Sequence, residues 1–146
     1  MTPARLVASF FGVGFFPWAP GTAGSLAALA LGAAMLAVAP GVLPWAALVA
    51  AFAGLWAARV EGDPGWVVID EVAGQWIALL PLARPSWVGL LVSFALFRLL
   101  DITKPGPVGW ADRQHGAAGI MADDLIAGGL AAGILWAVGN RFPGLF

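Results

Sequence analysis

Charged residues in this chain are concentrated in two stretches, and these are the side chains that could carry out chemistry. The first stretch, residues 98–124, holds seven of the fifteen charged residues and the only histidine, His115. The second stretch, residues 59–71, holds five more. Hydrophobic residues make up 61% of the chain and charged residues only 10%. Ionisable groups held together in so apolar a sequence indicate a functional site.

Five carboxylates lie where an apolar run begins or ends. A carboxylate in that position is costly unless it is paired or binds a metal, so several that converge from different helices favour a hard cation such as Mg²⁺, as one ion or two. The five are Asp70, Glu71, Asp101, Asp123 and Asp124. Neighbouring residues of a helix point about 100° apart, so we expect one member of each adjacent pair to face the ion. The alternative is that these residues cap helices and pair with basic side chains.

Basic residues beside these carboxylates could hold an anionic group. Lys104 and Arg113 suit a phosphate, with Arg98 as a further contributor, because arginine donates two parallel hydrogen bonds and lysine acts as a point charge. Contact with anionic lipid headgroups is an equally good interpretation of their position. For His115 three roles stay open: a proton donor to a leaving group, a metal ligand, or a hydrogen-bonding partner that fixes its loop.

The segment APGTAGS, residues 19–25, offers a second place for an anion. Its glycines let backbone N–H groups turn toward a ligand, and the N-terminus of the following helix favours negative charge. The residues predicted to bind phosphate here are Gly21, Thr22, Gly24 and Ser25. A plain helix cap, in which Thr22 or Ser25 accepts a hydrogen bond from a backbone N–H, is an equally good interpretation. No Gly-Lys-Ser or Gly-Lys-Thr follows, so the segment is not a Walker motif.

Apolar helices are the elements that must position these residues. Length and composition predict one domain, residues 1–146, that is an all-α polytopic membrane protein with about five spans and a short interfacial helix at residues 2–15. The spans are predicted at residues 24–39, 42–58, 67–83, 87–100 and 124–139, and residues 102–122 are predicted to be a loop. A net charge of −1 argues against nucleic acid as a partner.

The number of spans decides whether the two charged stretches meet. With five spans both stretches fall on the side of the N-terminus, whereas four spans, without residues 72–83, would separate them. Five spans also place five of the seven basic residues on that face, which the positive-inside rule makes cytoplasmic. These five are Arg5, Arg59, Arg98, Lys104 and Arg113.

Three blocks of the chain resemble the phosphatidylglycerophosphatase A family in order and spacing. They are GVGFFPWAPGTAGSLAAL at residues 12–29, DPGWVVIDEVAGQWIAL at residues 63–79, and FRLLDITKPGPVGWADRQHGAAGIMADDLIAG at residues 97–128. Members often have two glycines after the histidine, where this chain has Gly116 and Ala117. The resemblance implies a Mg²⁺-dependent phosphatase of the bacterial inner membrane that converts phosphatidylglycerophosphate to phosphatidylglycerol.

On this basis we expect a site in which carboxylates hold Mg²⁺ on the cytoplasmic side. Glu71, Asp101 and Asp124 are the first choices, with Asp70 and Asp123 as close alternatives. Lys104 and Arg113 would neutralise the charge that builds on the phosphoryl oxygens while water attacks phosphorus. The competing route has a carboxylate nucleophile, with Asp101 the first candidate.

Two other functional classes fit parts of the pattern. A phospholipid phosphotransferase would also gather acidic residues around Mg²⁺, but the chain has no D-G-x-x-A-R motif. A small transporter or assembly subunit would place ionisable groups near the middle of the membrane rather than at one face.

Overall fold

The protein is entirely helical in a computed structural model that describes residues 1–146, which confirms the predicted all-α class. Seven α-helices follow one another: α1 (Pro3–Ala8), α2 (Pro20–Val38), α3 (Leu43–Glu61), α4 (Ile69–Leu79), α5 (Trp87–Thr103), α6 (Pro107–Asp112) and α7 (Gly116–Arg141). Short 3₁₀ turns at Val13–Phe15 and Pro40–Val42 precede α2 and α3. Proline at the first or second position of α2, α3 and α6 removes an N–H that would have no partner there.

Three segments are long and apolar enough to cross a membrane: Pro20–Val38, Pro40–Glu61 and Gly116–Arg141. Their outward surfaces fit this assignment, since Trp45, Val49 and Phe52 on α3 are each about two-thirds exposed. Helix α4 has 11 residues, which is about 16 Å at 1.5 Å per residue and about half of a hydrocarbon core. The helix that forms in this region is therefore shorter than the predicted span at residues 67–83.

Helix α4 lies at the centre of the bundle, and nine of its 11 residues are buried. Glycine permits its closest contacts: a Cβ on Gly74 would lie 2.5 Å from Cε2 of Phe97 on α5 and 2.6 Å from the carbonyl oxygen of Asp124 on α7. The indole Nε1 of Trp76 donates a hydrogen bond to the carbonyl of Ala28 on α2 at 2.8 Å. Neighbouring helices thus fix α4, and with it the carboxylates in its first turn.

Two predicted boundaries are wrong. Residues 102–122 contain α6 and the start of α7, which begins eight residues before the predicted span at residue 124. Gly106 and Gly116 have positive φ values of 49° and 77° and confine the irregular backbone to short connections. The interfacial helix predicted at residues 2–15 is only α1, because Phe10 and Phe11 also have positive φ and end the helical path.

Candidate active site

An acid-lined cleft of about 450 Å³ opens at one end of the bundle. It lies where α4 and α7 begin and α5 ends, and the segment between α3 and α4 completes its wall. Seven carboxylates line it: Asp63, Asp70, Glu71, Asp101, Asp112, Asp123 and Asp124. The five carboxylates singled out in the sequence therefore meet in one place, together with Lys104 and His115.

The first turn of α4 supplies Asp70 and Glu71. Asp70 is buried, and its Oδ1 accepts a hydrogen bond from the backbone N–H of Glu71 at 3.1 Å. The Oε2 atom of Glu71 is buried and has no hydrogen-bonding partner. Gly21 at the start of α2 makes room for this carboxylate, because a Cβ there would overlap Oε1 of Glu71.

The third turn of α7 supplies Asp123 and Asp124, both of which are buried. Asp124 is 3% exposed, and its Oδ1 has no hydrogen-bonding partner. Both members of both adjacent pairs line the cleft, and the expectation that only one member of each pair faces the ion stays a prediction. A 100° difference in direction still allows two neighbours to reach a concave wall.

Two basic residues, Arg98 and Lys104, stand at the end of α5 beside the carboxylates. Arg98 forms an ion pair with Asp101 one turn along the same helix, and its Nη2 donates to Oγ1 of Thr22 at 3.4 Å. Lys104 follows the last turn of α5 in a left-handed conformation, with φ of 47°. Its Nζ lies 2.8 Å from Asp112 and 2.5 Å from Asp123, so it joins α6 to α7 across the cleft.

The surroundings of Lys104 favour its charged form. Partial burial lowers the pKa of its ammonium group, but the hydrogen bonds to Asp112 and Asp123 outweigh burial and raise the pKa above its ordinary value. The pKa of the Asp63 carboxyl is also raised, first by burial and then by the nearby charge of Asp123. Lys104 is therefore protonated at neutral pH and offers a permanent positive charge to a ligand in the cleft.

Two sets of predicted phosphate contacts lie outside this cleft. Arg113 is exposed at the end of α6. Gly21, Thr22, Gly24 and Ser25 all lie inside α2, which begins at Pro20, four residues before the predicted span at residue 24. Ser25 donates from Oγ to the carbonyl of Gly21 at 2.9 Å, so neither it nor Thr22 caps the helix. Phosphate binding by these residues stays a prediction.

Residues that the sequence interpretation did not select also line the cleft, among them Asp63, Asp112 and Gln114. Asp63 and Asp112 belong to the two charged stretches, so counting every carboxylate in those stretches would have found them. His115, the residue before α7, lines the cleft with an exposed side chain. Its position at the opening is compatible with proton transfer, but its role stays a prediction.

The donor set of the cleft fits a divalent cation. Seven carboxylates line the cleft, and Lys104 is the only lysine or arginine that lines it with them. Arg98 pairs with Asp101 but does not line the cleft. A negatively charged phosphate would be repelled from such a surface unless cations neutralised it. The two groups of carboxylates that lie close enough to hold an ion offer oxygen donors only, two of them buried without a partner, and oxygen ligands are those that Mg²⁺ prefers.

Comparison with known proteins gives consistent results. The sequence profile of the family described as Phosphatidylglycerophosphatase A matches residues 6–139. Phosphatidylglycerophosphatase A of Escherichia coli (strain K12) is 39% identical over 97% of this chain and 86% of the relative. The Haemophilus influenzae protein of the same name is 35% identical over 94% and 90%, respectively. A Bacteroides thetaiotaomicron protein named "Putative phosphatidylinositol-3-phosphatase" is 43% identical over 84% and 85%. No solved structure matches.

Proposed function

We propose that this chain, which belongs to the phosphatidylglycerophosphatase A family, hydrolyses the terminal phosphate monoester of phosphatidylglycerophosphate to phosphatidylglycerol and inorganic phosphate. The observation that carries the proposal is the acid-lined cleft at the end of apolar helices. A lipid whose tails lie in the bilayer beside those helices would present its headgroup at this level. Phosphatidylglycerol made here would enter phospholipid biosynthesis.

The site depends, in this proposal, on Mg²⁺ held by carboxylates of α4, α5 and α7. The residues that would hold it are Asp70, Glu71, Asp101, Asp123 and Asp124. When bound, Mg²⁺ supplies Lewis-acid polarisation of the phosphoryl group. The buried oxygens of Glu71 and Asp124 that have no partner support this assignment, since a buried carboxylate left without hydrogen bonds or a cation is costly.

Lys104 is the residue we assign to the phosphate itself. Its ammonium group lines the cleft, stays protonated, and is held by Asp112 and Asp123. There it can offset the negative charge on the phosphoryl oxygens during displacement. Arg113 would add to this only if its exposed side chain turned into the cleft.

Hydrolysis would proceed by attack of water on phosphorus. One proton of the water goes to a cleft carboxylate, the bond between phosphorus and the glycerol oxygen breaks, and that oxygen takes a proton from His115 or from solvent. The ion pair between Arg98 and Asp101 favours this route over attack by Asp101, because the pair stabilises the carboxylate and restricts its movement. The stereochemistry at phosphorus distinguishes the two routes in a substrate with a chiral, isotopically labelled phosphoryl group. Direct attack by water inverts the configuration, whereas two displacements through an acyl phosphate on Asp101 retain it, so retention would overturn direct attack by water.

The chain would cross the bacterial inner membrane five times, with the cleft facing the cytoplasm. The connection after α4, residues 81–83, meets the last turns of α7 in a groove at the end of the bundle opposite the cleft. Helix α4 and the residues after it therefore run from one end to the other, although α4 itself is short. The chain has no cysteine, so a single Arg84→Cys substitution can be labelled selectively. We expect labelling from the periplasm, and labelling only from the cytoplasm would contradict this topology.

A non-enzymatic transporter receives less support from this arrangement. That alternative places ionisable groups in the middle of the membrane. The carboxylates instead gather at one end of the bundle, around the beginnings of α4 and α7 and the end of α5.

A second substrate follows from the 43% identity to the Bacteroides protein. Phosphatidylinositol 3-phosphate also carries a phosphate monoester on a lipid headgroup, so the same cleft chemistry would apply. The test is phosphate release by the purified protein from each lipid in mixed micelles with Mg²⁺. We expect faster release from phosphatidylglycerophosphate; release only from the inositol lipid would reassign the substrate, and release from neither by a folded protein would overturn the phosphatase proposal.

A further inference from the structure

Two groups of three carboxylates lie side by side in the cleft. Asp70, Glu71 and Asp124 form the first, and Asp101, Asp123 and Asp124 form the second. Within each group one oxygen from every residue lies within 4.8 Å of the others. Asp124 belongs to both groups, so its two oxygens are available to two different partners.

Asp124 is the most enclosed of these residues. It is 3% exposed, and its Oδ1 has no hydrogen-bonding partner although the residue lines the cleft. Its backbone is fixed against α4, because its carbonyl oxygen lies only 2.6 Å from where a Cβ on Gly74 would be. The shared carboxylate thus stands on rigid elements and aims an unsatisfied oxygen into a polar space, which points to a missing ligand.

Positive charge is distributed unequally between the two groups. In the second group Arg98 pairs with Asp101, and Nζ of Lys104 lies 2.5 Å from Asp123. In the first group neither Asp70 nor Glu71 has an ion pair within 4.0 Å, and Glu71 adds a second buried oxygen without a partner. A cation entering the second group must compete with two paired basic side chains, whereas in the first group Arg98 lies near Glu71 only beyond ion-pair distance.

We propose that the cleft binds two inequivalent divalent cations that share Asp124. The tighter site is formed by Asp70, Glu71 and Asp124, and the weaker site by Asp101, Asp123 and Asp124. This inference rests on the cation dependence proposed above, but it does not depend on which lipid is hydrolysed. Lys104 then has a second role, since its ammonium group limits the affinity of the weaker site.

Mn²⁺ is a suitable probe, because free Mn²⁺ gives a six-line electron paramagnetic resonance signal that is lost on binding. Titration of the full chain in detergent micelles, without lipid substrate, measures stoichiometry and affinity independently of turnover. We expect two Mn²⁺ per chain in two affinity classes, and magnetic coupling between the ions at saturation. One Mn²⁺ per chain at saturation would overturn the proposal and leave the phosphatase assignment intact.

Variants of single residues separate the two sites. Asp70→Asn is expected to weaken the tight class by at least about tenfold, and Asp101→Asn to weaken only the weak class by a similar factor. Asp124→Asn should weaken both classes. Lys104→Met should strengthen the weak class, a change that a purely structural lysine would not cause.

Asp63→Asn is the matched control, since Asp63 lines the same cleft but belongs to neither group. It removes the same charge but no ligand of either group. Although Asp63 lies near Asp123, we expect either affinity to change by less than about threefold, because a charge that does not contact the ion acts on it through screening solvent. Circular dichroism and size exclusion verify that each variant is folded. If Asp70→Asn and Asp101→Asn weaken the same class, or if folded Asp124→Asn keeps both, the two-site proposal is wrong.

Discussion

The floor and the rim of the cleft differ in how their side chains are held. The floor consists of Asp70, Glu71, Asp123 and Asp124, which stand on the tightly packed helices α4 and α7 and are largely buried. The rim consists of Asp112, Gln114 and His115, which are exposed on α6 and the connection to α7, and the exposed Arg113 lies beside the rim but outside the cleft. Rigid buried carboxylates suit a cation that needs fixed ligands, whereas exposed side chains can adapt to a headgroup. Lys104 joins the two regions through Asp123 and Asp112.

The largest effect is expected when the floor loses the charge of Asp124, the residue that both cation groups share. Asp124→Asn keeps the size of the side chain but removes a carboxylate from both cation groups. We expect phosphate release to fall by roughly 10²- to 10³-fold, comparable to the loss of an essential electrostatic contact in other enzymes. Initial rates at saturating Mg²⁺ measure this. A folded Asp124→Asn protein with more than half of the normal rate would remove Asp124 from the mechanism.

The carboxylates of the floor can also be displaced by a substitution at an uncharged residue. Gly74→Ala places a methyl group against Phe97 and the carbonyl of Asp124, where the backbone cannot yield. We expect a loss of about 1–3 kcal/mol in unfolding free energy and a fall in turnover of about 100-fold, because a shift of 1 Å can cost that much.

Gly129→Ala on α7 is the matched control for this prediction. A Cβ there meets no atom within 4 Å, so the change should keep activity and raise helix stability by about 0.5–1 kcal/mol. Thermal unfolding in detergent and phosphate release measure both effects. Equal behaviour of the two alanine variants would show that close packing of α4 on α7 does not position the floor.

The floor carboxylates and Asp101 could be predicted from sequence, because all five stand at the ends of apolar runs where a lone carboxylate is costly. The helical class followed from composition in the same way. Contacts between segments that are distant in the chain could not be predicted from the sequence. Gly21 was assigned to a phosphate-binding segment, yet it makes room for Glu71, fifty residues later in the chain. Local sequence patterns also failed to predict α6 and the short length of α4, because tertiary packing determines both.

Substitution of Lys104, which joins the floor to the rim, should have an intermediate effect. Lys104→Met removes the positive charge in the cleft, and we expect turnover to fall roughly 10- to 100-fold, the value of one charge-assisted hydrogen bond. Arg113→Met is the comparison outside the cleft, and the exposed side chain of Arg113 predicts a change below about threefold. If Arg113→Met proves the more damaging of the two, Arg113 rather than Lys104 contacts the phosphate.

The smallest effect is expected from a carboxylate on the rim. Asp112→Asn breaks the ion pair with Lys104, but the Asp112 side chain is 47% exposed and Asp123 still holds the lysine. Exposed pairs contribute about 0–1 kcal/mol, so we expect turnover within about threefold of normal. A loss as large as that of Asp124→Asn would show that the rim is as essential as the floor.

The dependence of phosphate release on Mg²⁺ tests the central claim most directly. The purified chain is freed of metal with a chelator, and release from phosphatidylglycerophosphate is followed as Mg²⁺ is added back. The floor carboxylates predict no release without Mg²⁺, full recovery on its addition, and little recovery for Asp124→Asn at the same concentration. Undiminished release by the metal-free, folded protein would contradict the claim that the buried floor of the cleft serves to hold a cation.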